Sequence, residues 1–283
     1  EKYVKILKDR KKGSWKEFSK KLGVDYYTIK GMLDKQAVNF EHFVTIFRKL
    51  GFNDYKIIDL IKVVKSKGSG KCNMVWENSP EFARFLGYLI AEGSLPLKSP
   101  SQIWFPNSCE EMIEDYSNLA EKLFGLKTSV NEYVNYRYDA LIYSQVLRKL
   151  LNKFGMPCAT TEYKELTNLF LTHSNNEELS AFLSGLYSGD GYVGDSIIEL
   201  STKSKKLGFA VENILLRLGI TFSSSYKIKV ATNSGFSGVY RVISIYAVEN
   251  FKKFNEIIKL VHPEKRRKLE NIIFKKSNPN VDL

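Results

Sequence analysis

Two short stretches of this chain repeat each other, and each ends in a carboxylate followed by glycine. The first, residues 85–93, reads FLGYLIAEG, and the second, residues 183–191, reads LSGLYSGDG. Each combines an apolar helical turn with a small residue directly before the acid, which is Glu92 in one and Asp190 in the other. The pair predicts a duplicated fold in which two carboxylates meet where the copies join.

The spacing of small residues in both stretches supports this interpretation. Gly87 and Ala91 lie four positions apart, as do Gly185 and Gly189, so each pair falls on one helical face. Small residues at this spacing let two helices approach closely.

The acids at the two helix ends are unfavourable in isolation. A carboxylate opposes the dipole at a helix C-terminus, and two neighbouring carboxylates repel. A divalent cation such as Mg²⁺ offsets both effects, because it binds a few carboxylate oxygens together with water and phosphate. We expect the glycines that follow, Gly93 and Gly191, to adopt the left-handed conformation that turns the chain into a strand.

The order of predicted elements repeats over residues 79–172 and 173–283, which predicts an α+β fold built twice. Each copy has an apolar helix, a strand pair, a second helix, another strand pair and a closing helix. Ser108 is expected to cap the second helix of the first copy. The predicted strands cover residues 102–105, 127–135, 137–143, 197–200, 221–231 and 240–247.

Several of these strands alternate apolar and polar residues, which is typical of a strand with one covered face. Val130, Val134, Ile228 and Val230 are expected to cover the core. The basic side chains of the same strands are candidates for contacting nucleic acid: Arg137, Lys227, Lys229 and Arg241.

The first 64 residues have a different pattern, that of short helices. Ser14 and Glu17 have the spacing of a capping box, and Gly23 stands where that helix would end. Asp25 can cap a second short helix, and Asn39 a further one. A capped helix, a glycine turn and a second helix predict a helix-turn-helix domain over residues 1–64. Residues 65–78, rich in Gly, Ser and Lys, are predicted to form a basic linker.

The second helix of a helix-turn-helix enters the DNA major groove through its N-terminal part. Here that part presents polar and aromatic side chains suited to bases and phosphates: Tyr26, Tyr27, Thr28 and Lys30. A helical hairpin used for packing or for binding a protein partner is the alternative interpretation.

Charge favours a polyanionic partner. The chain of 283 residues has a net charge of +12, and 18 of its 43 Lys and Arg residues lie within the first 78 positions. No apolar run reaches the ~18 residues that a membrane span needs, and the charged N-terminus is unlike a secretory signal. Three dispersed cysteines form neither a disulfide framework nor a zinc pattern. We therefore expect an intracellular protein, cytoplasmic or nucleoid-associated, that is not secreted.

These motifs resemble those of the LAGLIDADG homing endonucleases. The two nonapeptides resemble the paired signature of that family, and residues 199–206 and 214–220 are similar to the second repeat of its intein-borne members. The resemblance covers residues 79 to about 275. It implies a pseudo-twofold αββαββα fold present twice, a monomer, and cleavage of both strands of a long asymmetric double-stranded DNA target across the minor groove. No small-molecule cofactor and no membrane partner are implied.

The resemblance also implies roles for individual residues. Glu92 and Asp190 would be catalytic and would hold Mg²⁺ or Mn²⁺, with Gly93 and Gly191 beside the metals. Basic residues would surround them. Lys203 matches one such position, for which Asn107 or Ser108 is the counterpart in the first repeat. Lys265 matches another, and Lys164 replaces the lysine expected near Thr160 or Thr161.

Two other functions remain open on the same fold. One is a transcription regulator that binds DNA without cutting it, although loss of the acids would then be expected. The other is a maturase that helps an intron RNA fold. Neither a splicing nucleophile at Glu1 nor a His-Asn pair near Leu283 is present, so we expect the chain as given not to splice.

Overall fold

The computed structural model divides the chain into two compact units, residues 1–64 and residues 65–283. The residues described are 2–34, 38–66, 70–74, 77–134, 137–157, 161–230 and 237–274, without the side chains of Thr161 and Val230. Parts of the predicted linker, Asn135, Cys158, Thr160 and the C-terminal tail lie outside these ranges. No described helix is long and apolar enough to cross a membrane.

The first unit is helical, and its helix starts follow the sequence signals. Ser14 Oγ accepts a hydrogen bond from the Glu17 amide at 3.3 Å, and the Glu17 carboxylate accepts one from the Ser14 amide at 2.8 Å, which confirms the capping box. Asp25 and Asn39 also cap helices, and Gly23 has a φ of +65° after the second helix. The helices are α1 (Lys2–Arg10), α2 (Trp15–Lys21), α3 (Tyr26–Leu33), α4 (Phe40–Lys49) and α5 (Asp54–Ile58).

The remaining elements follow a similar order twice, but the strand pair predicted before the second helix is complete only in the second repeat; the first has one strand and an isolated bridge between Ser94 and Trp104. Strands β1 (Val63–Lys65) and β2 (Lys71–Asn73) come first in the chain. The first repeat has α6 (Pro80–Ala91), β3 (Gln102–Asn107), α7 (Glu110–Phe124), β4 (Ser129–Tyr133), β5 (Arg137–Tyr143) and α8 (Gln145–Lys153). A 3₁₀ turn (Thr161–Tyr163) and α9 (Asn168–His173) follow. The second repeat has α10 (Asn176–Gly189), β6 (Gly191–Val193), β7 (Ile198–Thr202), α11 (Lys205–Arg217), β8 (Ser223–Val230), β9 (Ser237–Ile245), α12 (Val248–Ile257) and α13 (Pro263–Phe274).

Each repeat forms an antiparallel sheet with one face covered by helices. The strand orders are β3-β5-β4 and β6-β7-β9-β8. Phe105 pairs with Ala140 in the first sheet, and Leu200 pairs with Ile243 in the second. All four side chains are buried in one continuous hydrophobic core, so the two repeats fold around a shared interior.

Helices α6 and α10 cross at their glycines, and this contact joins the repeats. A methyl group at Gly87 would collide with the Phe182 carbonyl, and one at Gly185 would collide with the Arg84 carbonyl. A Cβ on Gly189 would lie only 2.6 Å from the Cβ of Ala91. The predicted close approach of the two helices is therefore confirmed.

Three expectations about local structure were wrong. Gly93 and Gly191 do not have the left-handed conformation; they are needed because a Cβ would press on the backbone of Leu89 or Tyr187. Helix α7 begins after Cys109 rather than after Ser108.

The third concerns the outer strands, which do not cover a core. All five residues of β4 are exposed, and Val134 and Ile228 are also exposed. These strands extend beyond the helices that cover the inner strands of each sheet.

Candidate active site

Glu92 and Asp190 lie at the ends of the helices that cross at their glycines. Each is the C-cap residue of its helix, α6 or α10. The Glu92 side chain reaches across to α10, because its Oε1 is 3.6 Å from the place where a Cβ on Gly189 would lie. Close helix packing therefore brings the two carboxylates into one electrostatic environment.

Both carboxyl groups have raised pKa values. Burial raises the pKa of Asp190 to about 7; the nearby Glu92 raises it as well, while Lys164 and Lys265 lower it. Burial also raises the pKa of Glu92, against the effects of Lys265, Asn107 and Lys164. Desolvated carboxylates of this kind are stabilised by any added positive charge.

Two lysines, the buried Lys164 and the half-buried Lys265, occupy matching positions beside the carboxylates. Lys164 Nζ donates hydrogen bonds to the carbonyl oxygens of Leu89 at 3.3 Å and Ala91 at 2.9 Å, at the end of α6. Burial lowers the pKa of Lys164 to about 8, while Asp190 and Glu92 raise it.

Lys265 has the same relation to α10. Its Nζ donates to the carbonyls of Tyr187, at 3.3 Å, and Ser188, at 2.7 Å, and also to that of Gly189. Burial lowers its pKa, and Glu92 and Asp190 raise it. Each ammonium therefore neutralises the negative end of one helix dipole as well as the carboxylates.

Asn107 holds Glu92 through its amide. Its Oδ1 accepts from the Cys109 amide at 2.7 Å, which fixes the side chain at the end of β3. The side chain also hydrogen-bonds to Glu92 and lowers the pKa of that carboxyl. The sequence placed Asn107 or Ser108 near the site only by symmetry, and the structure brings in Asn107.

The donor set fits a hard divalent cation. Mg²⁺ is commonly held by one or two carboxylates, with water and substrate phosphate completing its shell. Glu92 and Asp190 supply two such groups, and their raised pKa values reflect a need for positive charge. Within the described ranges no cluster of three or more His, Cys, Asp or Glu side chains could hold a metal by itself. The roles of Gly93 and Gly191 beside a metal stay predictions.

Lys203 is not brought to the carboxylates by any described contact. Its Nζ lies 3.9 Å from a Glu162 oxygen and 5.4 Å from the centre of the Tyr240 ring. Its role in catalysis stays a prediction.

Arg241 was wrongly predicted to face nucleic acid. It is 9% exposed and forms two hydrogen bonds of 2.6 Å with the Glu212 carboxylate. Its guanidinium also lies 3.8 Å from the centre of the Phe209 ring. Because Lys227 pairs with Tyr240, Arg241 falls on the opposite face of β9, against α11.

The lysines of β8 lie on the face of the sheet opposite α11. Lys229 Nζ contacts Glu199 at 2.7 Å and Ser201 at 2.6 Å, and Lys227 Nζ lies 3.9 Å from Glu199. Arg137 is exposed in the first sheet, with its Nε 3.7 Å from Asp139. The contacts of these basic groups with DNA stay predictions.

The side chains of α3 that are predicted to contact DNA differ in their exposure to solvent. Tyr27 is 77% exposed, Lys30 is exposed, and Tyr26 packs edge-on against Tyr27. The Thr28 hydroxyl donates to Asp25 at 2.7 Å, so it helps to cap the helix.

Comparison with known proteins follows the repeat boundaries. A family model described as a LAGLIDADG-like domain matches residues 79–156 and 177–259. Curated relatives include the replication factor C small subunit of Methanocaldococcus jannaschii, 28% identical over 72% of this chain and 11% of the relative. The ATP-dependent DNA helicase Hel308 of the same organism is 32% identical over 67% of this chain and 16% of its own length. The chain thus spans a small fraction of these relatives.

Solved structures include the homing endonuclease I-DmoI in mesophilic variants, 20% identical, with a TM-score of 0.48 over 63% of this chain and 95% of that one. Full-length DUF199/WhiA from Thermatoga maritima is 19% identical, with a TM-score of 0.45 over 70% and 60%. The family model covers more than half of the chain and both of its repeats. The chain therefore belongs to the family of proteins that carry the LAGLIDADG-like domain.

Proposed function

We propose that this protein is a divalent-metal-dependent endonuclease that cuts both strands of a specific double-stranded DNA site. The observation that carries the proposal is the matched pair of carboxylates with raised pKa values, the half-buried Glu92 and the solvent-accessible Asp190, each beside a lysine at a helix end. Two equivalent centres related by a duplicated fold suit the two antiparallel strands of a duplex.

The residues of the site divide the work. Glu92 and Asp190 supply the negative charge that holds Mg²⁺ or Mn²⁺, and Asn107 orients Glu92. A bound ion of this kind supplies Lewis acidity toward a phosphodiester and toward water. Lys164 and Lys265 hold positive charge beside the carboxylates, where it stabilises the extra negative charge of the transition state.

DNA is the substrate that the surface charge favours. The net charge of +12 attracts a polyanion, and Lys227, Lys229 and Arg137 lie on strands of the two sheets with solvent-accessible side chains. We propose that α3 of the first unit extends the contact through Tyr27 and Lys30, so that one chain covers a long asymmetric target as a monomer.

The curated relatives favour an origin of this chain as a mobile genetic element. The matched segment recurs in proteins named as a replication factor, a helicase, an aminotransferase and an ATP synthase subunit, and it occupies only 11–23% of each. Proteins with such different activities have no common reason to share this segment, so we propose that it is an inserted element of the intein or intron type.

Cleavage of DNA by purified protein tests the proposal. A random duplex library is incubated with Mg²⁺ or with EDTA, and cut molecules are recovered and sequenced. We expect a recurrent site that is cut only with metal, and a loss of about 100-fold or more in Glu92→Gln and Asp190→Asn. Glu256→Gln, an exposed carboxylate of α12, is the matched control and keeps wild-type activity.

Binding without cleavage would contradict the proposal. Tight, selective retention of duplex DNA with no product would indicate a regulator, and retention of structured RNA would indicate a maturase. Cleavage that persists in both carboxylate variants would place the chemistry elsewhere.

A further inference from the structure

The segment that carries Lys265, residues 259–265, is hydrogen-bonded to α10 of its own repeat. Ser184 Oγ donates to the Lys259 carbonyl, and Ser188 Oγ accepts from the Val261 amide at 2.9 Å. Both serines lie on α10 and are nearly inaccessible to solvent. The same helix therefore holds the segment and receives the Lys265 ammonium.

The first repeat has no serine at the positions equivalent to Ser184 and Ser188. Aligning Gly87 with Gly185 places Leu86 and Ile90 of α6 where α10 has Ser184 and Ser188. Both aliphatic side chains are buried in the core and cannot hydrogen-bond. The segment that carries Lys164 must be held in some other way.

That segment is held partly by the opposite repeat, through Ser204 and Lys206, and partly by Gly155 of its own repeat. Ser204 Oγ, at the start of α11, donates to the Lys164 carbonyl at 2.5 Å. Glu165 forms an ion pair with Lys206 at 2.5 Å, and the Glu165 amide donates to the Gly155 carbonyl at 3.0 Å. The Lys164 ammonium nevertheless points back to α6 of the first repeat.

Among the described residues no hydrogen bond equivalent to that of Ser204 is found on the other side, although Glu111 interacts electrostatically with His262 and Arg266, beside Lys265. Cys109 and Glu111 occupy the positions in the first repeat that Ser204 and Lys206 occupy in the second. The Cys109 thiol donates to Glu111 at 3.3 Å instead of to the segment that carries Lys265. The two lysines thus have matching targets and different anchors.

We infer that Ser204 and Ser188 are positioning residues for two separate half-sites, Ser204 for Lys164 and Ser188 for Lys265. The Lys164 half-site receives a buried hydrogen bond from the opposite repeat, whereas the side-chain hydrogen bonds described for the segment before Lys265 come from its own repeat. Weakening one anchor therefore slows the cutting of one DNA strand. The inference rests on the proposed nuclease function.

Ser204 is the stronger of the two contacts that the second repeat makes with the segment that carries Lys164. It is 2% exposed, whereas the Lys206 side chain is 77% exposed. Exposed ion pairs are screened by water and contribute little, while loss of a buried donor leaves the Lys164 carbonyl unpartnered. Ser204→Ala should therefore have a larger effect than Lys206→Gln.

Strand-resolved cleavage tests the inference. A duplex recovered from the library selection is labelled on each strand in turn, and both rates are measured with Mg²⁺. We expect Ser204→Ala to slow one strand about 10-fold and the other less than about 2-fold, and Ser188→Ala to slow the opposite strand, because small displacements near a reacting group are costly. Ser204→Thr, which keeps the hydroxyl, should restore the rate.

Loss of the helix cap at Ser204 needs a control, because its Oγ also accepts from the Leu207 amide at 3.1 Å. Ser144 caps α8 through the Leu147 amide at 3.2 Å and is equally buried. Ser144→Ala removes a cap without touching either lysine segment, so the ratio of the two strand rates should stay at the wild-type value.

A second measurement does not depend on cleavage. Hydrogen exchange in peptides spanning residues 161–167 should become faster in Ser204→Ala and stay unchanged in Ser188→Ala and Ser144→Ala. Equal slowing of both strands, no change in their ratio, or unchanged exchange would each overturn the inference. If the wild-type protein cuts no DNA, the proposed function fails, and the exchange measurement alone decides whether Ser204 holds the segment.

Discussion

In the second repeat, α11 packs on its sheet through a buried ion pair between Arg241 and Glu212, whereas the first repeat has Tyr138 and Ser117 at the equivalent positions. Ser117 donates only to the Ile113 carbonyl of its own helix. Equivalent positions of the helix and the sheet thus hold an ion pair in one copy and two uncharged side chains in the other. In a duplicated fold the helices and strands keep equivalent positions, while the side-chain contacts that stabilise them can differ between the copies.

The largest effect on stability should come from removing the ion pair between Arg241 and Glu212. We expect Glu212→Ala to lower the free energy of unfolding by about 3–5 kcal/mol, because Arg241 is left buried without its partner. Urea unfolding followed by circular dichroism measures this.

An exposed ion pair of the first repeat supplies the control. Lys122 contacts Glu81 at 2.8 Å with the lysine side chain 66% exposed, so Glu81→Gln should cost less than about 1 kcal/mol. Equal losses at Glu212 and Glu81 would contradict the interpretation that burial makes the difference.

The next effect concerns the contact that the repeats share equally. We expect Gly87→Ala and Gly185→Ala each to destabilise the protein by about 1–3 kcal/mol, because the added methyl meets backbone of the facing helix. Thermal unfolding is the measurement. Gly70→Ala, whose methyl would lie 3.8 Å from Leu126, should change little. A large difference between the two helix variants would show that one repeat adjusts to the methyl and the other does not.

The two carboxylates should differ in how they link stability to pH. Burial raises the pKa of Asp190 from 3.8 to about 7, so between these values the folded chain keeps a proton that the unfolded chain releases. The free energy of unfolding of the metal-free protein therefore falls as pH rises through this window. Because the Asp190 side chain is also accessible to solvent, which screens its charge, Asp190→Asn should remove a fall of only about 1 kcal/mol.

Unfolding in urea with EDTA, at several values from about pH 4.5 to 7.5, checks this sign. Glu92→Gln should change the slope less, because Asn107 donates to that carboxylate and lowers its pKa. Identical slopes in the wild type and Asp190→Asn would show that Asp190 does not titrate in this window.

The smallest effect should come from making the first repeat resemble the second at a helix start. Cys109 is the N-cap residue of α7 and makes no side-chain cap, whereas Ser204 caps α11. We expect Cys109→Ser to raise the free energy of unfolding by about 0.5 kcal/mol, through a new bond to a backbone amide of the first turn. Thermal unfolding is the measurement, with Ser204→Cys lowering stability as the reverse exchange.

Features decided within a few residues could be predicted from the sequence. The capping box at Ser14, the left-handed Gly23 and the start of β5 at Arg137 depend on local hydrogen bonds and backbone preference. The joined helix ends could be predicted because small residues recur at one spacing in both copies.

Features that depend on strand register could not be predicted from the sequence. A shift of one residue moves every side chain of a strand to the other face, and only the pairing of Lys227 with Tyr240 shows that Arg241 faces α11. The length of a strand beyond its helix is equally invisible, so Val130 looked like a core residue although it is exposed.

The surroundings of the carboxylates needed the tertiary structure. Lys164 reaches α6 from a segment more than 70 positions further along the chain, and no local pattern specifies that distance. Asn107 could be placed near the site by symmetry between the repeats, but its bond to Glu92 depends on how the end of β3 is held.

The glycine crossing between α6 and α10 has a consequence for anyone who would recombine such proteins. Because backbone meets backbone at Gly87 and Gly185, no side chain there can be trimmed to accommodate an unfamiliar neighbour. In a hybrid assembled from halves of two relatives, the crossing of α6 and α10 would set the distance between the two carboxylates, and the sheets would set the preference for a DNA target. Transplanting both helices together should therefore succeed more often than exchanging one half at a time.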